Sequence, residues 1–111
     1  PNISLEDFLD IVRDESIPYD GLRTTFERKI RHHTLPLTHP FHCLDQADFI
    51  GRFESLNSDF LEVCKKLGAE GELPHMNRTQ HSSYQDYFDK NTIKITQTIY
   101  QDDLTRFGYS F

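Results

Sequence analysis

The sequence predicts an α/β class chain that is mostly helical and contributes one β-strand to a sheet. Apolar residues recur at helical spacing in several stretches, which indicates amphipathic helices. Segment 47–53 is short and rich in the strand formers Phe49, Ile50 and Phe53. Nine Phe and five Tyr among 111 residues supply apolar material for a core and argue against disorder.

Two helices are predicted in the first third of the chain. Ser4 is a suitable N-cap of the first, and Ile17-Pro18 ends it. Asp20 is the predicted cap of the second helix. The segment 33–44 that follows this helix contains two prolines and is predicted to be an extended loop. The residues expected to face the core are Leu5, Phe8, Leu9 and Val12 in the first helix, and Leu22, Phe26 and Ile30 in the second.

The predicted strand 47–53 has no partner strand elsewhere in the sequence. Backbone N–H and C=O groups of a strand need a neighbouring strand to bond with. We therefore expect a missing N-terminal part, or another chain, to complete the sheet.

Three helical segments are predicted after the strand. The first begins near Ser55 and ends at Gly68, with a buried stripe at Leu56, Phe60, Val63, Cys64 and Leu67. A short helical turn covers 84–88. The last helix is predicted from a cap at Asp89 or Asn91 to about Arg106, with Gly108 as its stop. Apolar and polar residues alternate over 93–97 as they do in a strand, but the caps at both ends favour a helix.

Charge and composition exclude several classes of function. The net charge of −6 does not suit non-specific nucleic-acid binding, and it would repel a highly sulfated glycan. No apolar run is long enough to span a membrane, and the opening residues do not form a signal-peptide pattern. Cys43 and Cys64 are far apart in sequence, so we expect free thiols in a reducing compartment, although a disulfide stays open.

The polar loop 74–83 is the main candidate binding site. It gathers the donors Asn77, Arg78, Thr79, His81 and Ser82–Ser83 directly after a helix. Arg and hydroxyl donors hold phosphate and sulfate groups. The alternative is a solvated loop whose polar side chains bond their own backbone. Asn77-Arg78-Thr79 is also a possible N-glycosylation acceptor.

Three sequence pieces occur in the order typical of one enzyme family. They are G-R-F-E-S-L-N-S-D-F at 51–60, L-P-H-M-N-R-T at 73–79 and the closing F-G-Y-S-F at 107–111. Over residues 48–111, and more loosely from Ile3, the chain resembles the C-terminal part of the family 2 sulfotransferases. This family includes heparan and chondroitin sulfotransferases and bacterial relatives.

The resemblance implies a P-loop-like α/β fold with a parallel sheet, and a C-terminal segment of it here. It implies transfer of a sulfuryl group from 3′-phosphoadenosine 5′-phosphosulfate (PAPS) to an acceptor hydroxyl, expected on a carbohydrate, without a metal. The family's phosphosulfate loop, a Lys- and Thr/Ser-containing strand-to-helix turn, is not found in this sequence. We therefore expect a fragment that is inactive alone. The implied compartment is cytoplasmic for a bacterial protein, or the Golgi membrane through an upstream anchor for a eukaryotic one.

Carried over residue by residue, the resemblance makes the loop a nucleotide-binding element. Arg78 would face the 3′-phosphate and Thr79 would donate its hydroxyl, with Asn77 and Ser82 as neighbours. His75 and Met76 would orient the loop.

Other candidate residues are weaker. The histidines and Cys43 are spaced too irregularly for a zinc site, and the residues considered were His32, His33, His39, His42, His75 and His81. His33 with Pro36 resembles a His–Pro pattern of the family, but Leu37 stands where Gln is usual. Glu54 could remove a proton from an acceptor, yet a helix-capping role is the better interpretation, since the family's usual base lies upstream.

Asp102 and Asp103 are expected on a solvated face. The sequence leaves two functions open: a sulfotransferase segment that binds nucleotide, and a non-catalytic helical module that packs against a partner chain.

Overall fold

The computed structural model describes residues 2–19, 25–74 and 82–111. They form five α-helices joined by loops and short 3₁₀ turns: α1 Leu5–Arg13, α2 Phe26–Thr34, α3 Leu56–Leu67, α4 Lys90–Ile99 and α5 Gln101–Phe107. The chain divides into two compact units. Unit 1 comprises Pro1–Leu44 and Ser82–Phe111, and unit 2 comprises Asp45–His81.

The predicted strand at 47–53 is wrong, and so is the α/β class. Segment 47–52 is irregular, Phe53 begins a 3₁₀ turn, and none of the described residues belongs to a β-strand. The backbone of Arg52 is extended, with φ −114° and ψ 141°, but it pairs with no strand among the described residues. An extended backbone becomes a strand only when a neighbour takes up its N–H groups, and the N–H of Arg52 instead donates to the carboxylate of Asp59 at 2.7 Å.

The first two helices begin at polar caps. Ser4 caps α1 as predicted, because its hydroxyl accepts from the N–H of Asp7 at 3.0 Å. The cap of α2 is Thr25, whose hydroxyl accepts from the N–H of Arg28 at 3.2 Å. Asp20 and Leu22, expected in this helix, lie outside the described residues.

The core of unit 1 is small. α1 packs against both α2 and α4. The buried apolar side chains are Leu9, Val12, Ile30, Leu35 and Ile95. Leu9 and Val12 lie one turn apart on α1, which confirms the predicted apolar stripe of this helix.

The predicted last helix is divided into two. Asp89 begins α4 in a capping box with Thr92, each side chain bonding the other residue's backbone N–H at 2.8 Å. Residues 93–97, which alternate like a strand, are helical. Tyr100 (φ −107°, ψ 22°) separates α4 from α5, and Gly108 ends α5 with the left-handed φ of 73° that favours glycine.

Asp103 joins α5 to the connection that follows α2. Its carboxylate accepts from the backbone N–H groups of Leu37 and Thr38 at 2.7 and 2.9 Å, and from the Thr38 hydroxyl at 2.6 Å. The expectation that Asp103 is solvated is therefore wrong, whereas Asp102 is exposed. Tyr100 connects the same part of the chain to the end of α2, because its hydroxyl donates a hydrogen bond to the Thr34 carbonyl at 2.6 Å. Burial raises the pKa of the Tyr100 phenol, so the group stays protonated and keeps donating.

Unit 2 is built around α3. Gly68 ends this helix with φ 67°, as predicted, and its N–H bonds to the carbonyls of Cys64 and Lys65. The predicted stripe is only partly covered: Phe60, Val63 and Cys64 are half-buried, whereas Leu56 and Leu67 are 44% and 76% exposed. The start of α3 is held by Asp59, which also accepts from the Ser55 hydroxyl at 2.7 Å.

Removing the Asp103 carboxylate should destabilise unit 1. Hydrogen bonds to charged groups contribute about 1.5–3 kcal/mol, so we expect Asp103→Ala to lower the free energy of unfolding by roughly that amount in urea denaturation. Asp103→Asn should lose less, because its amide oxygen can still accept. The matched control is the exposed neighbour, Asp102→Ala, which should change stability by less than about 0.5 kcal/mol. Equal losses for the two alanine variants would contradict this role.

The turn before α3 should loosen in acid. The bond from the Arg52 N–H, followed by that from the Ser55 hydroxyl, lowers the pKa of Asp59. A carboxyl with a lowered folded-state pKa stabilises the fold above its unfolded pKa of about 3.9, and this stabilisation is lost as the pH falls through the folded pKa. We expect the amide NMR resonance of Arg52 to shift as the pH falls below about 3.9 and through the lowered folded-state pKa of Asp59.

Asp59→Asn should abolish this titration, because no carboxylate remains at the turn. Glu62→Gln, on the exposed surface of the same helix, should retain it. An Arg52 amide that titrates identically in Asp59→Asn would rule out Asp59 as the partner.

Candidate functional site

The predicted nucleotide loop lies mostly outside the described residues. Asn77, Arg78 and Thr79 are not described, nor are His75, Met76 and His81. Ser82 is described and exposed, two residues before the 3₁₀ turn Tyr84–Tyr87, which confirms the predicted helical turn. The roles assigned to these loop residues therefore stay predictions.

A surface cavity of about 880 Å³ lies in unit 2, where the described chain leads into this loop. It is lined by residues of the turn before α3, of the first turn of α3 and of the segment ending at Pro74: Phe53, Glu54, Ser55, Leu56, Asn57, Ser58, Leu73 and Pro74. These lining residues supply hydroxyl, amide and apolar groups. They include one carboxylate and no cation, so an anionic ligand at this cavity would need a cation from elsewhere in the chain.

Glu54 does not occupy the position of a helix cap. It is exposed in the 3₁₀ turn Phe53–Ser55, and the N-cap of α3 is Ser55. The residue that organises this turn is Asp59, through its bonds from Arg52 and Ser55. Sequence reasoning missed Asp59, although Ser55 and Asp59 are spaced i, i+4, as residues that meet across a helical turn are.

Four histidines lie around an aromatic cluster in unit 1. The rings of Tyr19 and His39 are 5.0 Å apart between centroids, and those of His32 and Phe41 are 5.8 Å apart. His42 contacts Phe41, and His33 contacts His32. Among the described residues, these side chains do not form a group of three ligands that could hold a metal ion.

Two ring nitrogens in this cluster have defined roles. Nδ1 of His32 lies 3.0 Å from the Tyr19 carbonyl, which can only accept, so this nitrogen donates. Nδ1 of His39 accepts from the N–H of Phe41 at 3.1 Å. A neutral His39 therefore carries its proton on Nε2.

Both cysteines are free thiols in the part of the chain that the structure describes. Cys43 is exposed at a left-handed position, φ 50°, and Cys64 is half-buried on α3. No helix of the described ranges is long and apolar enough to cross a bilayer.

Arg31 is the organising residue that sequence reasoning overlooked in unit 1. Its Nη1 donates to the Val12 carbonyl at 2.7 Å and its Nε donates to the Ile17 carbonyl at 3.2 Å. These partners are 19 and 14 residues away in sequence, so no local spacing signals the contact.

Comparison with known proteins identifies the family. The model of the family described as "Sulfotransferase family" matches residues 1–110. No curated protein and no solved structure matches the chain. The family match extends well beyond residues 48–111, the part in which the sequence motifs are concentrated, and it covers essentially the whole chain. This chain belongs to the sulfotransferase family.

Proposed function

We propose that the chain is a C-terminal segment of a PAPS-dependent sulfotransferase that acts on a hydroxyl of a carbohydrate acceptor. The observation that carries the proposal is the family match over residues 1–110. The donor-rich composition of loop 74–83 supports it, because such side chains suit the phosphate and sulfate groups of the nucleotide.

Arg78 is the proposed ligand of the 3′-phosphate, with Thr79 as a hydroxyl donor and Asn77 and Ser82 as neighbours. Arg78 is the one Lys or Arg in loop 74–83, so it is the residue there that would supply a positive charge to a phosphate. Arg suits this role because its planar fork can bond two phosphate oxygens at once.

In sulfuryl transfer, the bond from sulfur to the phosphate oxygen breaks while a bond from sulfur to the acceptor oxygen forms, and the acceptor hydroxyl loses its proton. The proposed contribution of this segment is binding and orientation, which lower the barrier by positioning the reactants. The sequence contains no phosphosulfate loop, so we propose that the segment is inactive alone and contributes the nucleotide-covering loop and the closing helices.

The second candidate is a non-catalytic helical module that packs against a partner chain. One observation favours it: Leu56 and Leu67 fall on the same face of α3, because eleven residues make about three helical turns, and they are 44% and 76% exposed. Large apolar side chains exposed on one face are a feature of interaction surfaces. Nucleotide binding by loop 74–83 would distinguish the two, since only the first candidate requires it.

Arg78→Ala should weaken the affinity for 3′-phosphoadenosine 5′-phosphate. The lost charge-assisted contact is worth about 1.5–3 kcal/mol, which corresponds to a roughly ten- to hundredfold higher Kd in calorimetry of the full-length enzyme. Arg78→Lys should recover part of the loss, since Lys keeps the charge but lacks the fork. Lys29→Ala removes the same charge from the exposed surface of α2 and should leave the affinity unchanged. Identical Kd values for wild type and Arg78→Ala would refute the assignment.

The 111-residue chain by itself should not turn over PAPS. The physical reason is that the donors which hold the transferred sulfuryl group belong to the missing phosphosulfate loop. The measurement is release of 3′-phosphoadenosine 5′-phosphate with a panel of hydroxyl acceptors, and the control is the full-length enzyme under the same conditions. Acceptor-dependent turnover by the short chain would exclude the fragment interpretation.

A further inference from the structure

Three aromatic rings connect the turn that follows loop 74–83 to the segment that follows α5. The ring of Phe111 lies 5.1 Å from the ring of Phe88 and 6.5 Å from the ring of Tyr84, measured between ring centroids. Tyr84 and Phe88 also contact each other, edge-on, at 6.3 Å. These separations lie in the range of favourable aromatic pairs, and we call the three side chains the three-ring contact. All three residues belong to unit 1.

The Tyr84 end of this contact is joined to the proposed nucleotide loop by a hydrogen-bonded turn. The Ser83 carbonyl accepts from the N–H of Asp86 at 3.0 Å, at the start of the 3₁₀ turn Tyr84–Tyr87. Ser82, a proposed neighbour of the nucleotide, precedes this turn directly. Two residues span at most about 7 Å, so a fixed Tyr84 restricts where Ser82 can lie.

Phe88 gives the contact a partner whose backbone is fixed. Its side chain is half-buried, and its N–H bonds to the Gln85 carbonyl at 3.3 Å. The next residue, Asp89, forms the capping box with Thr92 that begins α4, and Thr92 is 4% exposed. Because α4 packs against α1, the ring of Phe88 extends from a residue at the edge of the core.

The end of α5 directs Phe111 towards these rings. Gly108 has a left-handed φ of 73°, and the N–H of Tyr109 bonds to the Leu104 carbonyl at 3.0 Å, so the chain reverses its direction after the helix. Phe111 is 44% exposed, although it lies outside any helix. More than half of this large apolar side chain is therefore covered.

We propose that Phe111 is a positioning residue for nucleotide binding, because it fixes Ser82 and Ser83, the downstream end of loop 74–83, through Tyr84 and Phe88. The proposal rests on the proposed sulfotransferase function, and it adds a residue that acts on that site without touching the ligand. A loop with an anchored end loses less conformational entropy when it binds, so the nucleotide binds more tightly. Loss of the Phe111 ring should therefore raise the KM for PAPS and leave kcat nearly unchanged.

The test is calorimetry of 3′-phosphoadenosine 5′-phosphate with variants of the full-length enzyme, together with PAPS kinetics. Phe111→Ala removes both contacts of this ring and should raise the Kd about three- to tenfold. Phe111→Tyr keeps the ring and should bind like wild type, whereas Phe111→Leu keeps apolar volume alone and should be intermediate. The matched control is Tyr87→Ala, in the same 3₁₀ turn but outside the three-ring contact. Tyr87 is 57% exposed, and its loss should leave the Kd unchanged.

A double-mutant cycle with Arg78→Ala distinguishes positioning of the loop from a general loss of stability. If Phe111 acts through the loop, Phe111→Ala should weaken binding less in the Arg78→Ala background than in the wild type, because the main contact of the positioned loop is already absent. The Tm of each variant is measured first, and binding is measured well below it, where every variant is folded.

Four results would overturn the proposal. They are a wild-type Kd for Phe111→Ala, an equal loss in Tyr87→Ala, a loss that Phe111→Tyr does not restore, and full additivity with Arg78→Ala. A full-length enzyme that does not bind the nucleotide rejects the proposed function and this inference together. Nucleotide binding that Arg78→Ala weakens and Phe111→Ala does not weaken rejects the role of Phe111 alone.

Discussion

The guanidinium of Arg31 joins α2 to the end of α1, where the helix leaves backbone carbonyls without helical partners. Its bond to the carbonyl of Val12 satisfies one of these acceptors, and its bond to the carbonyl of Ile17 holds the segment that follows the helix. Its positive charge lies at the negative end of the helix dipole. The same group packs over Tyr19, which in turn contacts His39 and Phe41. This one side chain therefore links α1 and α2 to the aromatic cluster.

Hydrogen bonds between distant segments are important for stability because the apolar core is small. Five apolar side chains are buried among the described residues, and all of them lie in unit 1. Burial of so little apolar surface contributes a modest share of stability, so bonds that connect distant segments carry more of it. Asp103 and Tyr100 supply these bonds by fixing the connection after α2 to the C-terminal helices. That connection carries Leu35, which is buried in the core, and His39, which belongs to the aromatic cluster.

The sequence by itself determined the features whose causes are local. The caps Ser4 and Asp89, the helix ends at Gly68 and Gly108, and the helical state of 93–97 follow from groups within a few residues of one another. Family membership was also readable, because it depends on motifs in order along the chain. Only the tertiary structure decided what depends on distant partners. Segment 47–53 forms no strand, since a strand requires a neighbouring strand. Asp103, predicted as a surface charge, instead bonds the backbone of Leu37 and Thr38, which lie 66 and 65 residues earlier in the chain. The tertiary structure also brought Arg31 to carbonyls 14 and 19 residues earlier in the chain, a separation over which residue spacing gives no signal.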